Sequence, residues 1–202
     1  MQPIQTLDTI ACPLPQANID TDQLIAARFM SRPRSEGYGD YLLYAQRFDD
    51  DGTPRPECSL NQPRYAGASA IVALRNFGSG SSREAAVYAL VDFGVRCVIA
   101  PSFGDIFASN AVNNGLLPAI VTEADTERLL AWLARDARLR IDLEARSIIA
   151  GNDVISFHID PVWRMKLLNG WDDLDLTASY GADIARFFEC DCQLRPWVQP
   201  AL

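Results

Sequence analysis

Asn76 to Glu84 reads NFGSGSSRE, and it holds the densest group of chemistry-bearing side chains in the chain. Gly78 and Gly80 let the backbone bend tightly and admit a ligand close to the main chain. Ser81 and Ser82 bring hydroxyls. Arg83 brings a planar donor fork that matches a carboxylate. A helix starting just after them adds unpaired N–H groups and the positive end of its dipole. Together these residues describe an anion site with a hydroxyl beside it. The same spacing also suits a plain strand-to-helix turn with Ser82 as N-cap. The loop is neither a P-loop, which needs G-x-x-x-x-G-K-[ST], nor a good dinucleotide fingerprint, because Arg83 stands where a third small residue belongs.

Other chemistry-bearing residues give weaker signals. His158 is the sole histidine and lies in an alternating stretch, VISFHID, with no motif around it. Asp20 and Asp22 read as turn and cap formers ahead of an apolar run. Asp49-Asp50-Asp51-Gly52 reads as a turn and lacks the spaced oxygen ligands of a calcium loop. The cysteines are Cys12, Cys58, Cys97, Cys190 and Cys192, an odd and irregular set without a C-x-x-C pair. Reduced thiols account for them, with neither a metal nor a cofactor site expected in this chain.

The elements that must position the loop follow from periodicity. Ala70–Leu74 is an apolar run expected to form a buried strand, and Ser82–Phe93 has helical spacing ending at Gly94. Val95–Ala100 is the next strand, so strand, loop, helix and strand suggest a right-handed parallel crossover. A helix over Asp105–Asn114, a strand over Pro118–Thr122 and a helix opening at Thr122 continue the pattern. Arg140 to Ile159 reads as an antiparallel hairpin turning at Ala150-Gly151-Asn152-Asp153. A helical piece near Tyr38–Arg47, a helix from Pro161 to Leu168 and one from Leu176 to Glu189 complete the reading. Residues 1–202 are expected to form a single α/β domain with mixed parallel and antiparallel strands.

Composition narrows the function. The net charge is −8 and 49% of residues are hydrophobic, which argues against a nucleic-acid partner. No apolar run approaches the roughly 20 residues of a membrane span. The N-terminal stretch MQPIQTLDTIACPLPQ lacks a basic start and apolar stretch, so a cytoplasmic location is expected.

The stretches NIDTDQLI, YGDYLLY, NFGSGSSRE, VIAPSFGDIF with NNGLLP, and LLNGWDDLDLT follow one another in that order from Asn18 to Thr177. Taken together they resemble the small subunits of 3-isopropylmalate dehydratase, in the aconitase superfamily. The resemblance implies a swivelling β/β/α domain like domain 4 of aconitase. It also implies a separate large iron–sulfur subunit carrying a 4Fe–4S cluster, and a small hydroxy-dicarboxylate substrate between the two subunits. By motif, Ser81 corresponds to the catalytic base, Arg83 to the arginine that binds a substrate carboxylate, and Ser82 and Gly80 to their neighbours in that site. The segment Met30, Ser31, Arg32 falls where the resemblance places substrate selectivity. Two positions depart from the family loop, which reads G-C-G-S-S-R-E-H. Ser79 stands at the Cys position and Ala85 at the His position. The competing readings are a related hydro-lyase for methylmalate, dimethylmalate or homoaconitate, and a non-catalytic anion-binding module.

Overall fold

In a computed structural model, which describes residues 1–80 and 82–198, the chain builds a seven-stranded mixed sheet. β1 (Thr6–Leu14) is the strand shared by its two halves. Its second half pairs in parallel with β2 (Ala70–Ala73), in register Ala11 with Ala70 through Leu14 with Ala73. β3 (Cys97–Ala100) and β4 (Leu117–Ile120) extend the parallel half. Its first half pairs antiparallel with β5 (Arg138–Asp142), followed by β6 (Ser147–Ala150) and β7 (Asp153–Ser156). The order across the sheet is β4-β3-β2-β1-β5-β6-β7.

Sequence pattern and burial agree in both halves. AIVA in β2 and CVIA in β3 are buried at every position, as strands covered on both faces require. In β5, Leu139 and Ile141 are buried while Arg138 and Arg140 are exposed, the alternation of a one-sided strand. The sheet curls until its ends meet: His158 N–H donates to the Ile120 carbonyl at 2.7 Å and Ile120 N–H returns a bond at 3.1 Å. His158 therefore contributes its backbone to closure, and its side chain is exposed.

Helices α1 (Thr21–Leu24), α2 (Tyr44–Arg47), α3 (Glu84–Phe93), α4 (Asp105–Asn113), α5 (Glu123–Leu133) and α6 (Pro161–Asn169) surround the sheet. Successive residues of β2 point to opposite faces and so feed two cores. Ile71 and Ala73 join Ala86, Val87, Ala89 and Leu90 of α3 in one. Ala70 and Val72 join Leu129 and Leu133 of α5 in the other, together with Ile141, Ile148 and Ile155 of the antiparallel half. Each fully buried Leu or Ile is worth about 1.5–3 kcal/mol of transfer free energy, so both faces of β2 anchor the loop that follows it.

Several element boundaries differ from the sequence reading, each for a local reason. The turn after α3 is a Schellman motif: Val95 N–H bonds the Leu90 carbonyl at 2.9 Å and Gly94 takes φ 105°, so β3 starts only at Cys97. The piece near Tyr38–Arg47 splits into a 3₁₀ turn, Gly39–Tyr41, and α2, with Leu43 between them at φ 47°. The tie from Leu43 N–H to the Leu24 carbonyl and the full burial of its side chain hold that left-handed residue in place. The hairpin at Gly151-Asn152 is present, but a second one joins β5 to β6, making a three-stranded meander. The final helix is two: α7 (Asp173–Ser179) and α8 (Gly181–Leu194), broken at Tyr180.

Candidate active site at the ends of the parallel strands

Three chain segments leave the carboxyl ends of β1, β2 and β3 and continue side by side. Asn18 N–H donates to the Arg75 carbonyl at 3.0 Å, Gly78 N–H to Ile19 at 2.7 Å, and Thr21 N–H to Ser79 at 3.0 Å. On the other flank, Phe77 N–H donates to Ser102 at 3.0 Å and Gly104 N–H to Phe77 at 2.9 Å. Side chains add Asn76 Nδ2 to Asn18 Oδ1 at 2.8 Å, while the Ser102 hydroxyl accepts from Asn76 N–H at 2.8 Å. NIDTD, NFGSG and PSFGD, distant in sequence, thus form one layer. Clefts at the carboxyl ends of neighbouring parallel strands are where open α/β sheets bind ligands.

Glycine is required at two points of this layer. Gly78 sits at φ 70°, and a Cβ there would lie 2.2 Å from the Phe107 ring. A Cβ on Gly104 would lie 2.5 Å from the Gly78 carbonyl oxygen. Close packing follows, with Phe77 meeting Phe107 edge-on at 5.4 Å and Phe103 at 6.2 Å.

A cavity of about 180 Å³ opens beside the layer, lined by Thr21, Gly78, Gly80, Arg83, Gly104 and the first turn of α4 through Phe107. That is roughly the share of liquid volume of six waters, the scale of a small organic acid. The starts of α3 and α4 both border it, on Arg83 and Gly104, and among the described residues neither has a side-chain cap. By contrast α5 and α6 are capped by Thr122 and Asp160. Uncapped first-turn N–H groups and two helix dipoles therefore remain available to an anion. A larger cleft of about 690 Å³, between Trp132 and strands β1, β5 and β6, contains none of the motif residues.

Arg83 is the N-cap of α3, one residue later in the turn than the hydroxyl cap considered at Ser82, and α3 begins at Glu84. Its side chain is 23% exposed, and Nη1 pairs with Asp22 Oδ1 of α1. Glu84 accepts from Asn114 Nδ2 at 2.9 Å, tying α3 to the end of α4. Ser82 and Gly80 are exposed at this edge, and Gly80 takes φ 93°. Ser81 lies outside the described residues. Ala85 packs half-buried against the apolar core.

The selectivity segment stands apart from the cavity lining. Met30 packs on the core, Ser31 Oγ donates to the Arg28 carbonyl at 3.2 Å, and Arg32 pairs with Glu36 and lies over the Tyr41 ring at 5.6 Å. Arg34 stacks on Tyr88 at 3.6 Å and pairs with Asp92. Two contributors were missed by residue reading. Asp20 alone is the N-cap of α1, within a capping box, which frees Asp22 for Arg83. Gly104, Asp105 and Ile106 line the cavity from a segment, PSFGD, whose glycine and following acidic residue were the available signal. Among the described residues, no group of three His, Cys, Asp or Glu side chains is placed to hold a metal.

Comparison with known proteins agrees with this architecture. The aconitase C-terminal domain family matches residues 1–124. The 3-isopropylmalate dehydratase small subunit of Shewanella sp. (strain W3-18-1) is 44% identical over 202 residues, covering 98% of this chain and 99% of that protein. That of Rhizobium meliloti (strain 1021) is 43% identical over 194 residues, covering 95% and 96%. The crystal structure of 3-isopropylmalate dehydratase from Methanocaldococcus jannaschii shares the fold, with a TM-score of 0.64 at 24% identity, over 90% of this chain and 98% of that one. A matched family domain spanning the layered loops, and relatives alike from end to end, place the chain in the aconitase C-terminal domain family, among the small subunits of 3-isopropylmalate dehydratase.

Proposed function

We propose that this chain is the substrate-clamping half of a two-subunit hydro-lyase that interconverts 2-isopropylmalate and 3-isopropylmalate in leucine biosynthesis, in the cytoplasm. The observation that carries the reading is Arg83 at a cavity bordered by two helix N-termini without side-chain caps. Interconversion removes a proton α to a carboxylate and a hydroxyl from the adjacent carbon, then adds water back the other way round. Arg83 holds a substrate carboxylate with its fork, and the first-turn N–H groups of α3 and α4 stabilise negative charge that grows as the proton leaves. Ser81, assigned by the family resemblance, receives that proton at Oγ and returns it on rehydration. Ser82 and Gly80 flank the same carboxylate.

The cysteines of this chain do not suit an iron–sulfur cluster, because Cys12 and Cys97 are buried in different cores. The cluster belongs to the large subunit, where it supplies a Lewis acid for the hydroxyl. Ala85 favours a second reading, a related malate-type acid such as methylmalate, dimethylmalate or homoaconitate. Its methyl group faces the apolar core where the family carries an imidazole.

Co-expression with the large subunit, followed by assay of a panel of hydroxy-diacids, tests the proposal. Turnover of the isopropylmalates by the pair, and none by this chain alone, is the expected result. Activity confined to another acid moves the assignment to the second reading. Turnover by this chain without the cluster protein overturns the half-site reading.

A further inference from the structure

The C-terminal helix α8 has no buried residue, although it is strongly two-faced. Ile184, Phe187 and Phe188 recur at i, i+3 and i+4, with Tyr180 one turn before and Leu194 after, so they form one apolar stripe. Exposures of 49%, 67% and 56% for Ile184, Phe187 and Phe188, and 68% for Leu194, leave that stripe in water. A 14-residue helix is marginally stable alone in water and draws its stability from packing. α8 is nevertheless held on the body through α7: the buried Nζ of Lys166 donates to Asp173 at 2.6 Å and to Asn113 at 2.5 Å. The relative from Shewanella matches all but a few residues of the chain, so α8 falls within the part that the small subunits share.

Charge says what covers the stripe. Residues 172–195 carry six carboxylates, at 172, 173, 175, 183, 189 and 191, against two arginines, Arg186 and Arg195. The whole chain has a net charge of −8. A second copy would bring the same sign to the same face, and like charges facing each other are a device that excludes a partner. A different chain with an apolar groove and a basic rim satisfies both the stripe and its border. We propose that α8 is the docking helix for the large subunit, seating Ile184, Phe187, Phe188 and Leu194 in such a groove. This inference rests on the two-subunit reading above. It assigns α8 to assembly and leaves the chemistry to the loop layer.

The test uses the full chain and its large subunit, with association measured by sedimentation and turnover measured separately. Phe187→Ser with Phe188→Ser is expected to weaken association at least tenfold and to leave kcat at saturating large subunit unchanged. Asp183→Lys with Glu189→Lys is expected to weaken it too, and added salt to weaken the wild-type pair. Circular dichroism of the isolated variants should match wild type, because no α8 residue is buried in the body. Wild-type affinity in the Phe187/Phe188 variant overturns the docking role and leaves the two-subunit reading standing. A wild-type chain that self-associates through this stripe overturns the choice of occupant. Failure of the wild-type chains to associate at all overturns both readings.

Discussion

The loop layer around Gly78 and the helical arm from Asp172 to Leu194 sit at opposite extremes of packing. In the first, successive backbone groups are bonded to neighbouring loops, and a single added Cβ has no room. In the second, large apolar side chains stand in water and the anchorage to the body runs through Lys166. On the readings proposed above, the difference separates two tasks. Positioning a carboxylate to a fraction of an ångström needs a site over-determined by its surroundings. Joining another subunit needs surface left unsatisfied until that subunit arrives.

Thiol chemistry offers the widest contrast between packed body and arm. Burial pushes the Cys12 thiol up to about 12 and raises Cys97 as well, whereas Cys190 on α8 is exposed. At pH 8 iodoacetamide should label exposed Cys190 far faster than Cys12, whose sulfur is fully buried and whose thiolate is disfavoured by that burial. Mass spectrometry of partially labelled native protein gives the ratio; equal rates would mean that the core opens as readily as the arm.

Gly78→Ala should lower stability by about 3 kcal/mol, combining a strained positive φ with a clash on the Phe107 ring. Thermal melts should show a fall of roughly 6–12 °C in Tm for a chain of this size. In the assembled enzyme, Arg83→Lys should cut kcat/KM by about 10- to 100-fold, because lysine keeps the charge and loses the fork. An unchanged kcat/KM removes the carboxylate clamp. The smallest effect belongs to the arm: Leu174→Ser, at a side chain 79% exposed, should move the stability of the isolated chain by no more than about 0.5 kcal/mol in urea titration.

Legibility followed the same divide. Short strands buried on both faces announce themselves as apolar runs, so β2, β3 and β4 were readable to within a few residues. β1 was not, because TLDTIACPL is a hybrid. Its first half alternates for an antiparallel neighbour, its second half is nearly continuous for a parallel one, and Pro13 interrupts it. Gly80, Ser82 and Arg83 were singled out from the sequence as an anion motif, and the fold brings Gly80 and Arg83 to the cavity wall with Ser82 exposed beside them. The pairing of Arg83 with Asp22, and the cavity wall from Gly104 to Phe107, depend on three strand ends lying abreast, which local sequence does not encode. The break at Tyr180 went unread for a different reason. The apolar spacing of Leu176, Tyr180, Ile184 and Phe188 runs across residues 176–189, while Gly181, a poor helix former, was the available signal of the break.

β1 is made early and completed late. Synthesis delivers Thr6–Leu14 at the start, yet its parallel neighbour begins at Ala70 and its antiparallel neighbour ends at Asp142. At ribosomal speeds of about 5–20 residues per second, the central strand waits on the order of ten seconds with one edge or both unpaired. An apolar stretch in that state is open to pairing with other nascent chains. The arrangement that brings three loops together at the site therefore also lengthens the time for which the newborn chain's N-terminal segment stands unpaired.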